Sequence, residues 1–163
     1  MQIHESMQFH HNTETERKFL VRSNQFLSLA TSHYDICQGY LCREPEKTIR
    51  VRIRGDRAFL TIKSDRLREG LSRFEWEKEI EVSDARDLLQ LCLPGIIHKT
   101  RYLLPAPPFE GQERKWEVDV FHDRLKGLVL AELELSSETE PFSRPDWLGE
   151  EVTGAPRYYN ANM

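Results

Sequence analysis

The chain has 163 residues, enough for one domain and too few for two full ones, and 39% of them are hydrophobic, a workable supply for a single core. Charged residues make up 31%, yet 23 lysines and arginines against 27 acids leave a formal net charge of −4, which excludes a bulk polybasic nucleic-acid binder. No run approaches the ~18 apolar residues of a membrane helix, and the start of the chain lacks the basic-then-apolar profile of a signal peptide, so the expected setting is the cytoplasm.

Residues 1–11, with His4, His10 and His11, read as a flexible N terminus rather than a metal tract, and residues 12–163 as one domain. The first alternating run is Thr13–Val21. A helix over Asn24–Ser32 follows, which Ser23 can cap, and Gly39-Tyr40-Leu41 adds a strand. Thr48–Arg54 and Ala58–Lys63 are joined by Gly55-Asp56 as a tight hairpin turn, and Asp65 to Gly70 make a looser link to Arg73–Val82. A second helix is expected over Asp84–Cys92, capped by Ser83 and stopped by Pro94-Gly95. The runs Ile97–Leu103, Lys115–Phe121 and Leu128–Leu135 complete the pattern. Short alternating runs with little helix between them predict a mainly β protein of α+β class, paired antiparallel, whose roughly eight strands can close into a small barrel. Cys37, Cys42 and Cys92 stand in no metal or disulfide spacing and read as reduced thiols.

Side chains two apart on a strand share a face, and here the polar faces are sorted by sign. They carry Glu14, Glu16 and Lys18; Arg50, Arg52 and Arg54; Thr61 and Lys63; Glu75 and Glu77; Lys99 and Arg101; Glu117 and Asp119; Glu132 and Glu134. For any one pair, the solvated face of an ordinary antiparallel sheet is the commoner explanation. Seven such faces together, nearly all full charges and mostly one sign per strand, gain nothing from their own neighbours. Paired carboxylates suit a hard divalent cation, and paired Arg and Lys suit phosphate oxygens. Both in one cavity would serve phosphate plus metal. Periodicity alone does not say whether the charged face points into a barrel or out to water.

The ordered motifs Glu14-Thr15-Glu16-Arg17-Lys18, Gln38-Gly39-Tyr40-Leu41, Arg50-Val51-Arg52, Thr61-Ile62-Lys63, Glu75-Trp76-Glu77, Lys99-Thr100-Arg101-Tyr102, Glu117-Val118-Asp119, Glu132-Leu133-Glu134 and Tyr158-Tyr159-Asn160 resemble the CYTH domains, or triphosphate tunnel metalloenzymes, over nearly the whole chain. The nearest likeness is to small bacterial inorganic triphosphatases. That resemblance implies an eight-stranded antiparallel barrel forming a tunnel, with the charged faces inward and a few helices on its flanks. One departure is the short end after Asn160, where relatives often continue a helix.

Carried over by motif, Glu14, Glu16, Glu132 and Glu134 are the implied ligands of Mg²⁺ or Mn²⁺, with Asp119, Glu75 and Glu77 in support. Lys18, Arg50, Arg52, Lys63, Lys99 and Arg101 are the implied triphosphate cations, Arg54 is a rim charge, and Lys99 with Tyr40 is the implied acid–base pair. The expected activity is metal-dependent hydrolysis of inorganic tripolyphosphate to pyrophosphate and phosphate. The alternatives are a class IV adenylate cyclase, a thiamine or nucleoside triphosphatase, or a non-enzymatic polyphosphate or nucleotide sensor. A small-molecule triphosphate is the expected partner, with neither membrane nor DNA, and a homodimer is left open.

Overall fold

The computed structural model describes residues 15–64 and 74–163. Glu14, the flexible terminus expected over residues 1–11 and the polar link from Asp65 to Gly70 lie outside the described residues.

Nine strands form one antiparallel sheet: β1 (Thr15–Val21), β2 (Ser32–Glu44), β3 (Lys47–Arg54), β4 (Arg57–Ser64), β5 (Phe74–Ile80), β6 (Ile97–Phe109), β7 (Gln112–Phe121), β8 (Val129–Leu135) and β9 (Leu148–Glu151). Their order is β5-β4-β3-β2-β6-β7-β8-β1-β9. The mainly β, antiparallel expectation holds, with nine strands where about eight were expected, and among the described residues no ladder joins β5 to the far edge. The sheet nevertheless curls, because the same face of every strand from β1 to β8 lines a single cavity of about 1450 Å³. That cavity reaches Glu44 and Pro45 at the β2–β3 turn and Phe109 and Gln112 at the β6–β7 turn. Antiparallel pairing puts these turns at opposite ends of the sheet, so the space runs along the strands like a tunnel.

Local chemistry explains most of the elements. The β3–β4 hairpin turns on Gly55 and Asp56 with Arg54 paired to Arg57, and Gly55 takes a φ of +59°, which a Cβ would strain. Strand β6 runs past Leu103 through Pro105, Pro107 and Pro108. Pairing with β2 stops at Leu103, so these prolines lie where only β7 is alongside, a position that tolerates a missing N–H.

The helices differ from their expected bounds. The first, α1, is only Phe26–Leu29, because Thr31 already donates its N–H to the Leu103 carbonyl and Ser32 enters the β2 ladder. The second, α2, spans Val82–Gln90, beginning after extended Glu81. Neither serine caps: α2 has no side-chain cap, and the Ser23 hydroxyl is buried without a partner.

The apolar outer face is covered from both sides. Helix α2 seats Ala85 on Val51 and Ala58, and Gly39 permits the approach, since a Cβ there would fall 2.8 Å from Cys92 Sγ. Across the sheet, Phe19, Phe26, Trp116 and Trp147 form the main core, with Trp116 edge-on to Phe19 at 5.8 Å and to Trp147 at 5.6 Å. A third cluster lies on the inner side. Ile97, Phe121, Leu130 and Leu20 continue the faces of Lys99, Asp119, Glu132 and Lys18, and Val152, Tyr158 and Met163 of the C-terminal segment pack on them. Thus the short C-terminal segment, with 3₁₀ turns at Pro156–Tyr158 and Asn160–Asn162, covers that end of the inner face. Among the described residues no helix is long and apolar enough to cross a membrane.

Candidate functional site

Strand alternation and the curl of the sheet bring the expected site residues from β1 to β8 to one cavity. All of those named above from Glu16 onward line it except Asp119, which is fully buried behind the wall. They form three groups.

The first is a buried network on β1, β6, β7 and β8. Lys99 is 2% exposed and donates to Asp119 at 2.6 Å; Arg101 grips the two oxygens of the same carboxylate at 2.7 Å each. Arg101 also pairs with Glu117 and, at 3.2 Å, with Glu132. Lys18 lies opposite Glu132 in the β1–β8 register and bridges it at 2.9 Å and Glu16 at 3.3 Å. The electrostatics follow from this chain. Burial alone would raise the Asp119 pKa, but Lys99 and Arg101 outweigh it and hold the carboxyl well below its ordinary value. Burial opposes the charged forms of Lys18 and Arg101 as well, yet their carboxylates win and both are raised. Lys99 goes the other way. Complete burial lowers its pKa, nearby Arg101 adds to the effect, and Asp119, shared between two cations, compensates only in part.

The second group is the basic wall of β3 and β4. Arg50 donates to Thr61 Oγ1 at 3.2 Å and lies 3.6 Å from Glu77; Arg52 reaches Glu77 at 3.4 Å; Lys63 pairs with Glu75 at 3.1 Å. Burial, then Arg50, pushes the Arg52 guanidinium down to about 10, so it stays charged at neutral pH. Glu75 and Glu77 on β5 are the partners of this wall. Arg54 stacks over Phe59 at 4.8 Å and Tyr34 at 5.7 Å.

The third group is the carboxylates on β1 and β8, where Glu16 faces Glu134 in the register. The Glu16 carboxyl is raised by burial and by the charge of Glu132. Such crowding of hard oxygen donors suits a divalent cation, which would relieve the repulsion. Among the described residues no three His, Cys, Asp or Glu side chains are already gathered around one point.

Tyr40 is buried beside Arg50 and under Arg43, 5.9 Å from its ring centre, and burial raises its phenol pKa. Lys99 donates to Asp119 and, at 3.3 Å, to Asn160 Oδ1 rather than to Tyr40. Several cavity residues carried no role in the sequence reading: Gln38, Thr61, Glu117 and Asn160. Thr61 and Glu117 were visible on the alternating faces, and Gln38 lies two residues before Tyr40 on the same face. Asn160 stands in the Tyr158-Tyr159-Asn160 motif, but it reaches the cavity by a tertiary contact of the C-terminal segment that strand alternation does not show.

The CYTH domain model matches residues 12–159. An inorganic triphosphatase of Acetivibrio thermocellus is 42% identical over 151 residues, covering 92% of each chain. An inorganic triphosphatase of Nitrosomonas europaea is 40% identical over 152 residues, covering 91% of this chain and 94% of its own. The crystal structure of the inorganic triphosphatase NE1496 is similar with a TM-score of 0.65 at 32% identity, covering 93% of both chains. With the family's match spanning nearly the whole chain and a similar overall fold in that structure, the chain belongs to the CYTH domain family.

Proposed function

We propose that this protein hydrolyses inorganic tripolyphosphate to pyrophosphate and phosphate, with residues 12–163 acting as one catalytic domain. The observation that carries this reading is the basic wall: Arg50 and Arg52 line the cavity, and each leaves Nε buried with no acceptor. Buried charged donors without acceptors are costly, and a polyanion threaded along the strands supplies the missing oxygens.

In this reading Arg50, Arg52 and Lys63 bind the phosphate chain, Arg most tightly through its fork of donors. Glu75, Glu77 and Thr61 hold those cations in place. Mg²⁺ or Mn²⁺, held by Glu16, Glu132 and Glu134 together with Glu14, would supply Lewis-acid neutralisation of the phosphate charge. Water attacks the terminal phosphorus, the bridging P–O bond breaks, and pyrophosphate leaves against the arginines. Lys99 Nζ, whose pKa is depressed, accepts the proton of the water. Tyr40, kept protonated by burial beside Arg50, donates to the leaving oxygen. Asp119 and Glu117 orient Lys99 and Arg101.

The test is one parallel assay of tripolyphosphate, pyrophosphate, ATP and thiamine triphosphate with Mg²⁺ and with Mn²⁺, measuring both phosphate and cyclic AMP. Tripolyphosphate should be cleaved with the highest kcat/KM and pyrophosphate poorly, since two units fill part of a three-unit cradle. A higher kcat/KM for conversion of ATP to cyclic AMP overturns the assignment.

A further inference from the structure

We infer that Gln38 is a further phosphate-positioning residue of this cavity, an uncharged donor set between the basic wall and the Lys99 network. The inference rests on the proposed function and extends it to a residue that neither charge pattern nor metal chemistry selects.

Gln38 is on β2, paired with Arg52 on one side and Ile97 on the other, two residues from Tyr40 on the same face. It lines the cavity, is 1% exposed, and its Nε2 has no hydrogen-bond partner. A buried amide whose N–H donors are left unpaired is less favourable than an apolar side chain of the same shape, which loses no hydrogen bond on leaving water. A residue that served only the packing of β2 would be better as Met or Leu.

Its neighbours give the missing partner a chemical class. Among the described residues, the buried side-chain polar atoms without partners are Ser23 Oγ, Gln38 Nε2, Arg50 Nε and Arg52 Nε. The last three lie on directly paired positions of β2 and β3, where Gln38 faces Arg52 and Tyr40 faces Arg50. All three are N–H donors. An acceptor-only ligand with several oxygens, a phosphoryl group, satisfies them together, whereas a donor or an apolar group satisfies none. The neutrality of Gln38 also has a reason. Burial and then Arg50 already lower the Arg52 pKa, and another cation at Gln38 would deepen that repulsion. The amide adds donors without charge.

The experiment compares wild type with Gln38→Met, the nearest apolar shape, and Gln38→Glu, an isostere that presents acceptors. Tm is read in EDTA with and without tripolyphosphate, and kcat and KM are measured with Mg²⁺. Gln38→Met should keep or exceed the anion-free Tm of wild type, lose part of the tripolyphosphate-induced shift, and raise KM about tenfold or more, with a smaller change in kcat. Gln38→Glu should lose more of the shift than Gln38→Met, because its carboxylate repels the phosphate. A fall of the anion-free Tm in both variants with the induced shift and KM unchanged makes Gln38 a packing residue and overturns the inference. If wild type binds tripolyphosphate but does not cleave it, the proposed reaction falls while the thermal shifts still decide Gln38. If wild type shows no shift at all, or Gln38→Met shows the full one, the inference fails.

Discussion

Two charged regions share one cavity and are built on opposite terms. In the network of Lys18, Lys99, Arg101, Asp119 and Glu132, every charge has a buried partner, and Asp119 alone receives three hydrogen bonds. On the β3–β4 wall, Arg50 and Arg52 share the exposed Glu77 at 3.6 and 3.4 Å and keep their Nε groups unpaired. The network is complete without ligand, while the wall leaves the Nε donors of Arg50 and Arg52 without acceptors. Substitution should therefore damage folding in the first region and binding in the second.

The largest effect is expected at Asp119. Its removal leaves Lys99 and Arg101 buried beside each other with their shared counter-charge gone. Breaking a buried pair in this way costs about 3–5 kcal/mol, which lowers Tm by roughly 6–20 °C for a domain of this size. Thermal unfolding of Asp119→Ala measures it. A fall of a degree or less would mean that the network does not hold the fold.

Next comes the wall. Arg52→Ala should leave Tm within a few degrees of wild type but weaken the grip on tripolyphosphate, raising KM about 10- to 100-fold with a smaller change in kcat, because a hydrogen bond to a charged group contributes about 1.5–3 kcal/mol. Steady-state kinetics decide it, and an unchanged KM would remove Arg52 from the binding surface. The same wall predicts anion-linked stability. At a hundredfold excess over Kd, a ligand bound only to the native state adds about 2.7 kcal/mol, or roughly 5–11 °C in Tm. A slowly hydrolysed tripolyphosphate analogue should reach that range, and the double variant Arg50→Ala, Arg52→Ala should lose most of it. A full shift in the double variant would place the anion elsewhere.

The contrast between the two regions also marks what could be read from the amino-acid sequence. Which residues face the cavity was legible, because alternation at i and i+2 puts Arg50 and Arg52, Lys99 and Arg101, or Glu132 and Glu134 on one side whatever the strand order. Which charges meet was not. The order β5-β4-β3-β2-β6-β7-β8-β1-β9 sets five strands between Glu77 and Glu132 and puts Glu77 next to the arginines. Strand β9 is four residues long with Gly149 inside it, too short for alternation to show. The reach of β6 through three prolines ran against local propensity and depended on having β7 alone as neighbour. The expected caps at Ser23 and Ser83 lost to extended backbone at Glu81 and to the β2 ladder.

Acidity and alkalinity probe the buried network in opposite directions. Asp119 has a folded pKa below its unfolded value near 3.9, so its stabilisation is complete above that pH and is lost only in strong acid, as pH falls through the depressed folded value. Lys99 is also depressed, from an unfolded value of about 10.4. The folded state then disfavours its charged form at low pH, and this penalty fades as pH rises from the folded value towards the unfolded one. As a proton acceptor, Lys99 should make kcat/KM rise as pH passes through its depressed folded value and level off above it. Lys99→Met, which keeps the length of the side chain without the amine, should flatten the alkaline rise. An unaltered pH profile in that variant would transfer the base role to another group.

The smallest effect expected lies where the two regions give way to the carboxylates. Glu16 is raised by burial and by Glu132, so its neutral form is favoured in the fold and its ionised form, present above the folded pKa, is a local strain on the native state. Its side chain is 46% exposed, so solvent screens much of this. Glu16→Gln should therefore raise Tm slightly in EDTA at pH 8, with the gain vanishing as pH falls below the ordinary carboxylate range, where wild-type Glu16 is itself neutral. With Mg²⁺ present the sign should reverse, because the carboxylate that strains the metal-free fold is one that would bind the cation. Titrating Tm against Mg²⁺ in both proteins separates the terms. A parallel rise in wild type and Glu16→Gln would leave the crowding of Glu16 and Glu132 as a feature of the fold alone and remove Glu16 from the metal ligands.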